Sequence, residues 1–198
     1  MVNMNNNFDY EDDLIIDDII SNKQKRKRKA DGKKKGNRVE LELSKLLNAR
    51  FNCQDFSRAV GSGNRWGQVR HLPKHAREVF SGDLIVPKNF KFCLESKGGY
   101  DGIDLNSIFV RGNSELDNFL DQVSKDSKRC SRKPLLCWKR TRKPWLSFIH
   151  TKELTGRTFK YRLLYGKWSA VDLEKLLELE NEFFLNSEIL PTSADIHS

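Results

Sequence analysis

The chain has 198 residues, a length that suits one domain with a tail. It carries 36 Lys and Arg against 27 Asp and Glu, a net charge of +9, and only 37% of its residues are hydrophobic. No stretch approaches the roughly 18–20 apolar residues of a membrane span, and the acidic start is not a secretory signal. A membrane protein or a secreted enzyme is therefore not expected, and the basic excess points to a polyanion, nucleic acid first, in the cytoplasm.

The charge is uneven along the chain. Residues 1–22 hold six acids and no base; residues 23–35 hold nine bases and one acid, Asp31. Residues 36–168 carry 26 bases and 13 acids, and residues 169–198 carry one base and seven acids. Residues 1–35 read as a disordered acidic and basic arm, because a self-repelling block such as KQKRKRKADGKKK has nothing to bury. A nuclear localisation signal is the alternative for its KRKRK run, but a DNA-binding arm suits the basic remainder better. A folded domain is expected over 36–186, followed by a flexible tail over 187–198.

From Asn37 to about Phe51, Val39, Leu43, Leu46 and Leu47 recur at helical spacing. FNCQDFSRAV suggests a short strand, and a long Gly-rich basic loop comes next. DLIV and FKFCLESK read as two strands joined as a hairpin by the turn Pro87-Lys88-Asn89. A second helix is expected from Ser114 to about Cys130, with Ser114 as N-cap. PLLCW and PWLSFIH read as a strand pair across KRTRK, and FKYRLLY as a further strand. A last helix is expected over about Ala170–Leu185, with Ser169 and Asp172 as a capping box. That order is a mixed α/β sheet with flanking helices. Cys53, Cys93, Cys130 and Cys137 form no CxxC pair and read as scattered thiols in a reducing compartment.

The chemistry-bearing segment is SGDLIVPKNFKFCLESKGG. Asp83 opens one strand, and twelve residues later Glu95 and Lys97 lie two apart on the next, hence on one face. A tight turn can bring Asp83 beside them. Two carboxylates offer hard oxygen ligands to Mg²⁺, and a lysine can orient a water and stabilise developing charge. A surface charge pair beside a loop acid is the other reading of these three residues. On the first helix, Glu40 falls about 100° from Val39, at the edge of the apolar stripe, where a carboxylate can lean over the sheet. Glu42, at about 300°, competes for that role, and Glu40 can instead serve as a capping partner of Asn37.

GNRVELELSKLL, SRAVGSG and GDLIVP followed by FCLESK resemble the PD-(D/E)xK nuclease superfamily, and within it the archaeal-type and bacteriophage Holliday junction resolvases. Lys35, Gly36 and Glu40 match the first helix of that pattern, and Arg58, Ser62 and Gly63 its Arg and Ser-Gly loop. Asp83, Glu95 and Lys97 match the catalytic set. Gln122 and SRKPLLCWKRTRKPW match the phage members' Gln-bearing helix and basic turn. The match spans about residues 35–150 and departs from the superfamily name at Gly82, where that name has Pro. The resemblance implies a restriction-endonuclease-like fold and a Mg²⁺-dependent homodimer, with Mn²⁺ able to substitute. It further implies opposed nicks across branched DNA that leave 5′-phosphates, in host cytoplasm if the chain is viral. Asp83, Glu95 and Glu40 would hold metal, Lys97 would be the catalytic lysine, and Gln122 would edge the site. A restriction- or repair-like duplex nuclease is the alternative, and a DNA-binding protein on a degenerate nuclease fold a weaker one.

Phosphate contacts are expected from Arg58, Ser62, Gly63, Arg65, Arg70 and Lys74 in the loop, with Trp66 as a stacker or wedge. His71 and His75 read as loop polar residues rather than zinc ligands. Arg129, Arg132 and Arg140, with their Lys and Arg neighbours, are expected to form a second basic surface. Trp138, Trp145 and Trp168 read as core or interface residues, and the apolar residues of the last helix as packing on the sheet or on a second subunit.

Overall fold

A computed structural model of the chain describes residues 36–59, 82–104, 108, 110 and 112–186. The expected arm, the 187–198 tail and the loop residues Ser62, Gly63, Arg65, Trp66, Arg70, His71, Lys74 and His75 lie outside the described residues.

The first helix, α1, spans 36–51 and buries Val39, Leu43 and Leu47, as the apolar spacing requires. Its polar side chains direct the neighbouring backbone. Asn48 accepts from the Phe56 amide at 3.0 Å and donates to the Phe56 carbonyl at 2.8 Å, which fixes the chain's entry into β1, Ser57–Arg58. At the C-terminal end of α1, Arg50 donates to the carbonyls of Leu177 and Leu179, tying the helix to a segment more than a hundred residues away.

Strand β2, Leu84–Ile85, pairs antiparallel with β1, and β3, Phe92–Gly98, belongs to a different sheet. The expected β2–β3 hairpin is therefore corrected. The turn at Pro87–Phe90 forms, with Phe90 N–H donating to Pro87 O at 3.0 Å, but the two strands make no ladder. Asp83 still reaches β3 through one backbone bond to Leu94 O at 3.0 Å.

Helix α2, Ser114–Arg129, comes next, then β4, Lys133–Lys139, and β5, Trp145–His150. The N-cap is Asn113 and not Ser114. The Asn113 side chain accepts from the amides of Glu115 and Leu116, and Ser114 is already helical. Strands β4 and β5 pair antiparallel across the KRTRK turn, as expected. A short 3₁₀ turn, Thr151–Leu154, leads to β6, Leu163–Tyr165, and β7, Trp168–Asp172. The expected helix from Ala170 is corrected here. Trp168–Asp172 pairs with β5 on one side and β6 on the other, and only then do α3, Leu173–Leu177, and α4, Asn181–Phe184, form. Asp172 caps α3 by accepting from Lys175 N–H.

The sheet order is β3-β4-β5-β7-β6, with β3 and β4 parallel and the other pairs antiparallel. Alternation along the strands gives it two apolar faces. Leu136, Trp138, Phe148 and Ala170 pack with Leu116, Phe119, Leu120 and Val123 of α2. Leu135, Cys137, Ile149 and Val171 pack on the other side with α1, α3 and α4. The fold is thus α/β, a five-stranded mixed sheet between helices, of the restriction-endonuclease-like kind. Trp138, Trp145 and Trp168 are core residues, and all four cysteines are free thiols. Among the described residues no helix is long and apolar enough to cross a membrane.

Candidate active site

Strand β3 forms one edge of the main sheet, and its register sets the site. Glu95 pairs with Leu136 and Lys97 with Trp138, so both charged side chains lie on the face covered by α2. Asp83 arrives from the other side of β3. Its Oδ2 accepts from Ser96 N–H at 2.9 Å, and its own carbonyl accepts from Ala59 N–H at 2.9 Å. The residue before it has φ +84, and a Cβ there would lie 2.5 Å from Leu94 O. Only glycine fits that close approach, so the Gly82 that departs from the superfamily's Pro is what lets Asp83 dock.

Lys97 Nζ donates to Glu95 Oε1 at 2.6 Å and to Gln122 Oε1 at 3.0 Å, and lies 5.3 Å from the centre of the Phe119 ring. Helix α2 thus supplies the third wall of the site, through residues spaced three apart on one face. Glu95 is 1% exposed. Burial, and then the charge of Asp83, push its carboxyl up to about 8 despite the lysine. Asp83 is also raised, by burial acting against the Ser96 amide and the Lys97 charge. Burial pulls the Lys97 ammonium down, but Glu95 and Asp83 outweigh it, so its net shift is upward and it stays charged.

The arrangement is two carboxylates crowded in a low dielectric against one ammonium. The family model described as "Phage putative PDDEXK endonuclease" matches residues 31–185. The chain belongs to this phage PDDEXK endonuclease family. It is also similar to Protein D14 of Escherichia phage T5, 29% identical over 127 residues that cover 62% of this chain and 73% of that protein. No solved structure matches it. The chain is a nuclease of the PD-(D/E)xK type, and such nucleases generally use divalent metals.

For a PDDEXK site the donor set fits a divalent cation. Asp83 and Glu95 offer hard oxygens; burial raises both carboxyls and the charge of Asp83 raises Glu95 further, a penalty that a bound cation relieves. Among the described residues no three His, Cys, Asp or Glu side chains converge as a ligand set. Glu40 is the third expected acid. It is 7% exposed, and its Oε2 lies 4.0 Å from Arg58 Nε, while Arg58 pairs with Leu84 next to Asp83. Glu42, its competitor, faces another way: its Oε1 accepts from Trp145 Nε1 at 3.1 Å and lies 3.3 Å from Lys139 Nζ.

The basic residues are spread more widely than expected. Arg132 and Lys133 stand at the start of β4, while Lys139 and Arg140 stand at its end, about 20 Å apart at 3.3 Å per residue. They stand at opposite ends of that strand. Arg129 pairs with Asp126 at 2.6 Å, Arg132 donates to Pro87 O at 3.3 Å, and Arg140 donates to Asp101 O at 3.0 Å. Asp126 went unnoticed in the sequence. Its charge raises both Asp83 and Glu95, and it lies one helical turn beyond Gln122. That i,i+4 spacing was the available signal.

Proposed function

We propose that this PDDEXK nuclease is a Mg²⁺-dependent endonuclease that resolves four-way DNA junctions by paired nicks leaving 5′-phosphates, acting as a homodimer. The observation that carries the nuclease chemistry is the meeting of Asp83, Glu95 and Lys97 at the edge of the sheet, with Gln122 fixing the lysine. Asp83 and Glu95 hold the metal, with Glu40 as a further acid. Bound there, the cation supplies charge neutralisation at the scissile phosphate and a lowered pKa for water, with Mn²⁺ an adequate substitute. Lys97 keeps a full charge, orients the attacking water and stabilises the charge that builds on phosphate. Gln122 holds the ammonium in place while remaining at the rim. Arg58, Ser62, Gly63, Arg65, Arg70, Lys74, Arg129, Arg132 and Arg140 serve as phosphate contacts.

Junction selectivity rests on the sequence resemblance to the resolvases and on a basic, sequence-indifferent residue set. A duplex nuclease of the restriction or repair kind is the second reading, since the same site suits both substrates. Cleavage of a labelled four-way junction and of linear duplex with the same arms, in Mg²⁺, separates them. Symmetric junction nicks with little duplex cutting are expected, and equal rates on both overturn the resolvase assignment. Lys97→Ala should abolish cleavage and keep DNA binding; a fully active variant removes the site assignment.

A further inference from the structure

The basic turn between β4 and β5 is tied to the chain that leaves the active site. Asp101 lies four residues past Lys97. Its Oδ1 accepts from Thr141 N–H at 2.7 Å, and its Oδ2 accepts from the Thr141 hydroxyl at 2.6 Å. Its carbonyl takes Arg140 Nη2 at 3.0 Å, while the Arg140 guanidinium lies 5.6 Å from the Trp138 ring centre. Gly99 N–H donates to Lys139 O at 2.8 Å, and Trp138 Nε1 returns a bond to Gly99 O at 3.0 Å. Arg142 is held with φ +57, a left-handed conformation that non-glycine residues seldom adopt. Arg142 and Lys143 are exposed at the tip and make no ion pair among the described residues. Because Trp138 is the register partner of Lys97, the turn begins two residues beyond the catalytic lysine, at the same end of the sheet.

An acid at this point is otherwise out of place. Placed among the cations of a DNA-binding edge, Asp101 repels the phosphates that the edge attracts. Its two oxygens are instead spent on the turn. We infer that Asp101 is a positioning residue that locks the tip, so that Arg142 and Lys143 grip a DNA phosphate beside the cut. This deepens the nuclease reading and rests on it.

The sign of one substitution separates the two roles. Loss of a merely repulsive acid strengthens DNA binding; loss of a clamp weakens it. The full chain is titrated with fluorescently labelled four-way junction and duplex in chelator, from 50 to 200 mM salt, and cleavage is then measured in Mg²⁺. Asp101→Ala is expected to weaken binding about three- to tenfold and to flatten the slope of log affinity against log salt by about 0.9 per phosphate contact released. Its kcat at saturating DNA should stay within about twofold of wild type. Asp101→Asn keeps an acceptor for the Thr141 amide and should bind within about threefold of wild type. In an Arg142→Ala/Lys143→Ala background, Asp101→Ala should have no further effect. Binding by Asp101→Ala that equals or exceeds wild type, an unchanged salt slope, or the same loss in the Arg142/Lys143 background overturns the inference. Should Asp101→Ala fail to fold, Thr141→Val, which removes only the hydroxyl contact, decides by the same slope. A wild-type chain that neither binds nor cuts DNA sinks the function itself, whereas a cutting enzyme with a normal Asp101→Ala sinks only the clamp.

Discussion

Replacing Gly98 with alanine places a methyl group where α1 rests on β3. The new Cβ would lie 2.6 Å from Val39 Cγ2 and 3.2 Å from Val39 Cβ. Carbon atoms settle at about 3.5–4.0 Å, so the overlap is close to 1 Å. A rotamer change moves the valine methyls but not its Cβ, and relief requires the start of α1 to lift. Overpacking of this kind costs about 1–3 kcal/mol. Val39→Ala alone removes two buried methyl groups, about 0.8 kcal/mol each with a cavity added, or about 2 kcal/mol. Together the substitutions exchange volume across one contact, so the double variant should be more stable than the sum of the singles by at least about 1 kcal/mol. Urea unfolding monitored by tryptophan fluorescence reads the cycle. Cleavage gives a second measure, because Glu40 is the next residue after Val39 and moves with it: Gly98→Ala should lose rate, and the double variant should recover part of it. Additivity within about 0.5 kcal/mol would refute the contact.

Gly82→Ala meets both a left-handed φ and the Leu94 carbonyl, and should cost more than about 1 kcal/mol together with most of the cleavage; a stable, active variant contradicts the docking of Asp83. Asn113→Ala should lower stability by about 1 kcal/mol and Ser114→Ala by less than half of that, and the reverse order in thermal unfolding would return the cap to Ser114. In chelator, stability should fall as pH rises from about 4.5 through about 8. The folded chain keeps a proton on Glu95 over that window, whereas the unfolded chain releases it. Glu95→Gln should flatten this limb, and a limb of unchanged slope in the variant rejects Glu95 as its source.

The parts of the fold that were legible carried complete local signals. Val39, Leu43 and Leu47 mark the buried face of α1, and Leu116, Phe119, Leu120 and Val123 that of α2. The strands either side of KRTRK bracket an evident turn. In the candidate site, Glu95 and Lys97 were legible because a period of two places them on one face whatever the strand pairs with. The misses share another cause. Trp168–Asp172 is buried between two strands and covered by helices on both faces, so its short apolar run has no periodicity to tell strand from helix. Strand β2 pairs with β1 and not with β3, and the Asn48–Phe56 bonds that set the entry into β1 come from a part of the chain well before the turn that suggested a hairpin. Asp126 was missed because its i,i+4 spacing from Gln122 gains meaning only once Gln122 is seen to reach Lys97.

The β3–α2–β4 crossover bears on when the nuclease becomes active during synthesis. Glu95 meets Leu136, 41 positions later, whereas β4 and β5 join through an adjacent turn. Closing so long a loop costs entropy before its contacts repay it, which places the parallel pairing after the local hairpin. The carboxylates and Lys97 lie at or before the start of that loop, and Gln122 and Phe119, which also contact the lysine, lie on the helix within it. A chain caught before the crossover closes therefore carries the acids and a lysine held by Glu95 alone, without its contacts to Gln122 and Phe119. The complete set of contacts around Lys97 is therefore expected only after the parallel pairing has formed, late in the folding of the chain.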